Sequence, residues 1–242
     1  MSQRLIEWHD SIDSTMRRAA ELSAAGCPSG AIVAARSQSA GRGRHGNAWE
    51  SPEGGLYFTI VLRPKVEPRD LPVVTLALGV AIADAVQMFA GLPVDLRWPN
   101  DLMAGERKLA GILTEWHSGA VLAGIGLNVA QTSFPPGLAT PATSLALETG
   151  KTFPPELLLK AIAASVDTHV RILETAGVPA ILRLFDAASS YASGRRVRVD
   201  LPAGAVTGAT AGLTPEGFLK LRRDDGEVLT ITAGGVRPVD TP

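Results

Sequence analysis

The chain has 242 residues, 45% of them hydrophobic, enough to bury a sizeable core in one large domain or in one domain with a small appendage. Its 23 basic and 24 acidic side chains leave a net charge of −1, so no global field draws it to nucleic acid or an anionic membrane, and any anion must be bound locally. Cys27 is the only cysteine, which excludes an internal disulfide, and the start MSQRLIEWHDSID has neither a basic n-region nor an apolar h-region; both point to the cytoplasm.

STMRRAAELSAAG offers Ser14 or Thr15 as an N-cap, Met16, Ala19, Ala20 and Leu22 at helical spacing, and Gly26 as a stop, which predicts a helix from 15 to 25. AIVAA reads as a short buried strand and GLYFTIVLR as a longer one. Pro72 then opens a helix that runs to Ala90. This window is the most apolar in the chain, but Asp84 interrupts it and Pro72 and Pro93 bound it, so it reads as a buried helix rather than a membrane span. VDLRW alternates as a strand with Val94, Leu96 and Trp98 on one face.

LAGILTEWHSGAVLAGIGLNV predicts a hairpin that turns at Ser118 and Gly119. TSFPPGLATPATS is too rich in proline and threonine to be an element, and two helical patterns follow, over 154–175 and 178–191. After Gly194 the helical period disappears, and short β-prone runs separated by PEG and DDG predict a small antiparallel β-structure, plausible as a barrel. The expected organisation is a mixed α/β (α+β) domain over 1–191 and an all-β domain over 192–242.

Gly41, Gly43 and Gly46 have the spacing G-x-G-x-x-G. A dinucleotide fingerprint needs its third glycine in the first turn of a helix, whose N-terminus binds the pyrophosphate. Here Gly46 leads into NAWESPEGG, which cannot be helical past Pro52 and Gly54, and Glu67 falls after the next strand has ended. No G-x-x-x-x-G-K-[ST] is present, and a kinase would need a third-strand lysine and an H-R-D segment that this sequence lacks. What remains is a flexible basic loop, with guanidinium forks from Arg42 and Arg44 suited to a phosphate or carboxylate.

Downstream, RWPNDLMAGERKLAGILTEW places Trp98, Pro99, Asn100 and Asp101 at a strand end, then a polar turn, then Lys108 entering an apolar strand. Gly111 in that strand, with Gly124 and Gly126 in its neighbour, suggests a slot against the backbone.

QSAGRGRHGNAWESPEGGLYFTIVLRP, RWPNDL, KLAGILTE and GIGLNV, in this order and at these intervals, resemble the biotin protein ligases over about Ser14 to Asn128. The resemblance implies a class II synthetase-like catalytic domain with a mixed sheet, followed by a small SH3-like C-terminal β-barrel. It implies an ATP-dependent activation of biotin as biotinyl-5'-AMP and transfer of the biotinyl group to a lysine of a carboxylase's biotin carboxyl carrier domain. Without an N-terminal winged helix the chain resembles the monofunctional type, with no DNA partner and no membrane partner expected.

The roles that the resemblance implies are these. Arg42, Arg44 and Lys108 clamp the carboxylate and the α-phosphate, with Arg44, Lys108 and Asp101 as the catalytic group and Asp101 orienting the incoming amine or accepting its proton. Ser14, Thr15 and Gln38 meet biotin, with Gly41, Arg42, Arg44, Lys108 and Gly111 completing its site; Ser14 or Thr15 serves equally well as a helix cap. The family commonly has asparagine where Met16 stands. Trp49 covers the adenine and Asn100 and Asn128 lie on the adenylate side, although Trp49 could equally be core and Asn128 a turn former. Magnesium travels with ATP, since His9, His45, His117 and His169 are scattered without metal-ligand spacing. The glycine loop is expected to be poorly ordered when empty and to close over the adenylate. Two alternatives are a lipoate or octanoate ligase, which shares the fold, and a non-catalytic biotin or adenylate sensor, against which the charge balance counts.

Overall fold

Seven strands form one mixed sheet in a computed structural model that describes residues 4–201 and 204–239. Residues 1–3 and 240–242, at the ends of the two expected domains, and residues 202–203 lie outside the described residues. The strands are β1 (Ile6–Ile12), β2 (Ile32–Gln38), β3 (Gly55–Leu62), β4 (Asp95–Arg97), β5 (Asp101–Ala104), β6 (Arg107–His117) and β7 (Ala120–Asn128), in the spatial order β1-β2-β3-β7-β6-β5-β4. Only β1 and β2 pair in parallel, and α1 (Thr15–Ala24) connects them. A parallel pair needs such a crossover, whereas the hairpin of β6 and β7 needs only Ser118 and Gly119, which both take positive φ.

Strand alternation divides the sheet into two faces. Ile32 and Ala34, Leu56, Phe58 and Ile60, and Val121, Ala123, Ile125 and Leu127 join the main core with α2 (Leu71–Ala90), α4 (Pro155–Ala176) and α5 (Val178–Ala187). Val33, Val61, Ala120 and Leu122 point the other way, into a smaller cluster under α1 with Met16 and Ala19. Helix α2 is long and apolar enough to cross a membrane, but 78% of its apolar window is buried inside the protein, as the interruption by Asp84 led us to expect.

Five antiparallel strands build the C-terminal sheet: β8 (Ser193–Leu201), β9 (Gly204–Leu213), β10 (Leu219–Arg222), β11 (Val228–Ile231) and β12 (Gly235–Pro238), in the order β11-β10-β9-β8-β12. This is the small antiparallel β-structure expected after Gly194. Its apolar face shares the main core: Val197, Val199, Leu219, Leu221 and Val236 pack in one cluster with residues of α2. Trp98, only 3% exposed, donates its indole N–H to the Gly217 carbonyl at 2.9 Å across this seam. Trp98→Phe leaves that carbonyl without its partner and should cost about 1–3 kcal/mol. In a thermal melt the midpoint should fall by roughly 2–4 °C for each kcal/mol, and an unshifted midpoint would remove the seam from the stability of the chain.

Three elements escaped the sequence. Strand β1, IEWHDSI, is a half-exposed sheet edge and so carries no apolar run. Strand β5 has four residues within what reads as a polar turn, and α3 (Leu145–Thr149) is a single short helix capped by the Ser144 hydroxyl, which accepts from the Leu147 N–H at 3.2 Å. Helix α5 stops at Ala187, short of the predicted 191.

Candidate active site

A cavity of about 740 Å³ opens on the sheet face opposite α2. Its floor is a row of direct cross-strand neighbours: Gly126 on β7, Gly111 on β6, Asp101 on β5 and Arg97 on β4. Such neighbours lie on one face, with β-carbons about 5 Å apart. The two glycines therefore leave the bare backbone floor that the sequence suggested, with charge at one end.

Residues 38–51 fold back over this floor. Gln38 N–H donates to the Ser51 carbonyl at 3.0 Å, Trp49 N–H to the Gly41 carbonyl at 3.0 Å, and Gly43 N–H to the Asn47 carbonyl at 2.7 Å. A 3₁₀ turn at Arg44–Gly46 closes the loop, with φ of 57° at His45 and 76° at Gly46. No helix follows Gly46, so the dinucleotide reading fails in the structure as it did in the sequence. The Trp49 ring lies on the glycine floor: a β-carbon at Gly126 would stand 2.3 Å from its Nε1, and one at Gly111 would stand 2.9 Å from its Cζ3. That Nε1 is buried with no partner among the described residues.

Beside the indole lies a charge cluster. Asp101 accepts from Lys108 Nζ at 2.6 Å and from Arg97 Nη2 at 2.7 Å, and Lys108 Nζ is 5.1 Å from the centroid of the Trp49 ring. Burial alone pushes the Asp101 carboxyl up, but the Lys108 ammonium and the Arg97 guanidinium together hold it below the usual carboxylate range. A carboxylate so held anchors cations and is a weak proton acceptor, which favours orienting over proton removal for Asp101.

Arg44 donates to Asn100 Oδ1 at 3.0 Å and to the Gly234 carbonyl of the C-terminal domain at 3.2 Å. Burial pulls its pKa down, partly offset by Asp101.

Lys108 reaches this cluster through a bulge. Lys108 and Gly111 are three residues apart, and in a regular strand they would face opposite sides of the sheet. The pairing of β5 with β6 slips between Leu102 and Met103, with Ala110 opposite Leu102 and Lys108 opposite Met103, so Leu109 is the extra residue. Leu109 and Ala110 are both in the main core, and Lys108 joins Gly111 on the cavity side. The proline-rich segment holds this irregular backbone: Lys108 N–H donates to the Pro141 carbonyl at 2.7 Å, and Thr143 N–H to the Lys108 carbonyl at 2.9 Å.

The other end of the cavity is uncharged. Gln38 Oε1 accepts from the Thr15 backbone N–H at 2.8 Å and from its hydroxyl at 3.0 Å, and the Gln38 amide donates to Ser51 Oγ at 2.9 Å. Thr59, which pairs with Gly124, donates its hydroxyl to Thr15 Oγ1 at 2.9 Å. Ser14 occupies the N-cap of α1, yet its side chain caps nothing. Its hydroxyl is buried, partnerless among the described residues, and lines the cavity. Capping and ligand binding do not compete at this residue.

Four expected contributions look different in place. Gly41 does not line this cavity; a β-carbon there would stand 2.3 Å from the Trp49 carbonyl oxygen, so it serves the fold of the loop. Asn128, expected on the adenylate side, spends its amide N–H on the Thr143 carbonyl at 2.9 Å and accepts from Gln131 at 3.4 Å, which ties the proline-rich segment to β7. Asn100 donates to the Ile112 carbonyl at 2.8 Å and holds Arg44 with its oxygen. Arg42 is exposed on the rim and paired with Glu115 at 2.9 Å, so it would have to leave that partner to clamp a ligand. Ser14, Thr15, Gln38, Arg44, Trp49, Asp101, Lys108 and Gly111 do converge on the one cavity.

Sequence reasoning missed Arg97. It is 5% exposed, binds Asp101 and donates to Thr140 Oγ1 at 3.0 Å. The alternation of VDLRW held the signal, since with Leu96 and Trp98 inward Arg97 must face the other side of the sheet. The loop at Gly234 was also missed, because only the tertiary fold brings it to Arg44.

The biotin/lipoate A/B protein ligase family matches residues 8–131, and the biotin protein ligase C-terminal domain matches residues 192–236. The bifunctional ligase/repressor BirA of Bacillus subtilis is 34% identical over 93% of this chain and 71% of its own length. The biotin–[acetyl-CoA-carboxylase] ligase of Mycobacterium tuberculosis is 35% identical over 86% of this chain and 78% of its own. The biotin protein ligase of Aquifex aeolicus, solved in complex with biotin and ATP, superposes with a TM-score of 0.87 at 29% identity, covering 98% of this chain and all of that one. By the family match over residues 8–131 and by relatives at 34% and 35% identity over most of their length, the chain belongs to the biotin/lipoate A/B protein ligase family.

Proposed function

We infer that the chain is an ATP-dependent ligase that activates biotin as biotinyl-5'-AMP and transfers the biotinyl group to a lysine of a biotin carboxyl carrier domain, of the kind named for its acetyl-CoA carboxylase-directed relatives. The observation that carries this reading is the ordering of one cavity. An uncharged end with the buried Ser14 hydroxyl, a glycine floor, and a cluster of Lys108, Asp101, Arg97 and Arg44 line this one cavity, with Gly126, Gly111, Asp101 and Arg97 in one row of the sheet register. The ring end of the acid belongs at Ser14 and Thr15, and its carboxylate among the cations.

In the first step a biotin carboxylate oxygen bonds to the α-phosphorus of ATP and pyrophosphate leaves with the bonding pair. Two anions must approach, and Lys108 and Arg44 offset their repulsion from fixed positions in a partly buried site where such charges act strongly. In the second step the neutral carrier amine attacks the carbonyl carbon of the mixed anhydride, AMP leaves and the amine loses a proton. Asp101, held ionised, orients the ammonium of Lys108 throughout. The Trp49 ring covers the same strip of floor that the acid needs, so loading lifts the ring, and its buried N–H is free to find a new partner on the bound adenylate. Magnesium is taken to arrive with the nucleotide substrate, and no step is assigned to a resident ion.

The test is mass spectrometry of a purified biotin carboxyl carrier domain after incubation with the chain, biotin, ATP and magnesium. The expected result is a gain of one biotinyl group, dependent on ATP. No gain, or an equal gain with lipoate or octanoate in competition, overturns the reading.

A further inference from the structure

The uncharged end of the cavity is closed by a side chain to which nothing above assigns a role. Met16 is only 5% exposed and lines the cavity, and its thioether rests on Gly124: a β-carbon there would stand 2.7 Å from Sδ and 3.1 Å from Cγ. Gly124 lies two residues before Gly126 on β7, on the same face, so Met16 stands directly next to the strip of floor that Trp49 covers. The helix start beneath it is fixed, because neighbouring Thr15 is held by both Gln38 and Thr59. Behind it lies a close-packed cluster that includes Ala19, Val33, Val61 and Leu122. Backbone and rear are both blocked, so the flexible thioether can yield only toward the cavity.

We propose that Met16 is a specificity-determining residue: seated on the bare backbone of Gly124, its thioether closes the ring end of the acid pocket and sets the size of acid admitted. The inference rests on the reading of this cavity as the site of a ring-bearing acid. Met16 and Gly124 act as a size-matched pair. Shortening Met16 deepens the pocket, while adding a methyl at Gly124 displaces the sulfur into it. Because the displaced atom is the end of a flexible chain, the fold tolerates Gly124→Ala better than it would a clash with backbone.

The test is calorimetric binding of two acids, biotin and a biotin derivative with one methyl group added to its sulfur-containing ring, to the wild type, Met16→Ala, Met16→Leu, Gly124→Ala and the double variant Met16→Ala/Gly124→Ala. One methyl against an apolar wall changes selectivity by roughly 10- to 200-fold. Met16→Ala should therefore raise the affinity for the methylated acid relative to biotin by at least about tenfold, Met16→Leu should leave the ratio near that of the wild type, and Gly124→Ala should weaken biotin itself by about tenfold. The double variant should return toward the wild-type ratio, which a merely structural loss at either position would not produce. Should Met16→Ala fail to fold, Gly124→Ala and Met16→Leu decide the matter. Biotin binding by the wild type with the same ratio of the two acids in every folded variant overturns the role of Met16 and leaves the proposed function standing. Binding of neither acid by the wild type overturns both.

Discussion

Replacing Lys108 with alanine lowers pyrophosphate release from biotin and ATP by about 10²- to 10³-fold, the effect of removing one preorganised charge from a group-transfer site. Lys108 Nζ is fixed between Asp101, at 2.6 Å, and the face of Trp49, at 5.1 Å. Its position costs no reorganisation at the moment when negative charge crowds around the α-phosphorus. Transfer from preformed biotinyl-5'-AMP to the carrier should fall much less, because no phosphoryl charge is being assembled in that step. Lys108→Arg should not restore the first step, since a planar fork cannot occupy the place of a compact ammonium between a carboxylate and an indole. Pyrophosphate release within tenfold of wild type would remove Lys108 from the chemistry. The fold should survive the substitution, because Arg97 still pairs with Asp101.

Arg44→Gly is expected to act on retention more than on formation of the adenylate. Arg44 sits in the lid, half-buried, and its guanidinium bridges Asn100 of the catalytic domain and the Gly234 carbonyl of the C-terminal domain. A hydrogen bond to a charged group contributes about 1.5–3 kcal/mol, so losing it should speed escape of the intermediate roughly 10- to 100-fold, and the added glycine loosens the lid further. The mixed anhydride then reaches solution and acylates lysines at large. The measurement is the distribution of biotin over bystander proteins mixed with the variant, ATP and a carrier domain. Labelling confined to the carrier would contradict the role assigned to Arg44.

Much of the architecture could be read directly from residue patterns. Gly26 and Pro72 marked the ends of α1 and α2 because they cannot continue or interrupt a helix cheaply, and Ser118 with Gly119 marked the hairpin because its turn needs positive φ. Strand β1 was not legible: a sheet edge exposed on one side needs no apolar run.

The sequence by itself determined which chemical groups this protein brings to its cavity: Arg42 and Arg44 in a glycine loop, Asp101 and Lys108 around a short turn, and glycines in adjacent strands. Those are local facts, carried by residue type and spacing. Only the tertiary structure decided where these groups point. One bulged residue, Leu109, turns Lys108 onto the face that holds Gly111 and Asp101, and pairing of β4 with β5 brings Arg97 to the same carboxylate. The docked C-terminal sheet gives Arg44 its second acceptor. The physical reason is that strand register, bulges and domain contacts are settled by packing between distant segments, and a strand that gains one residue exchanges its faces without any change in composition.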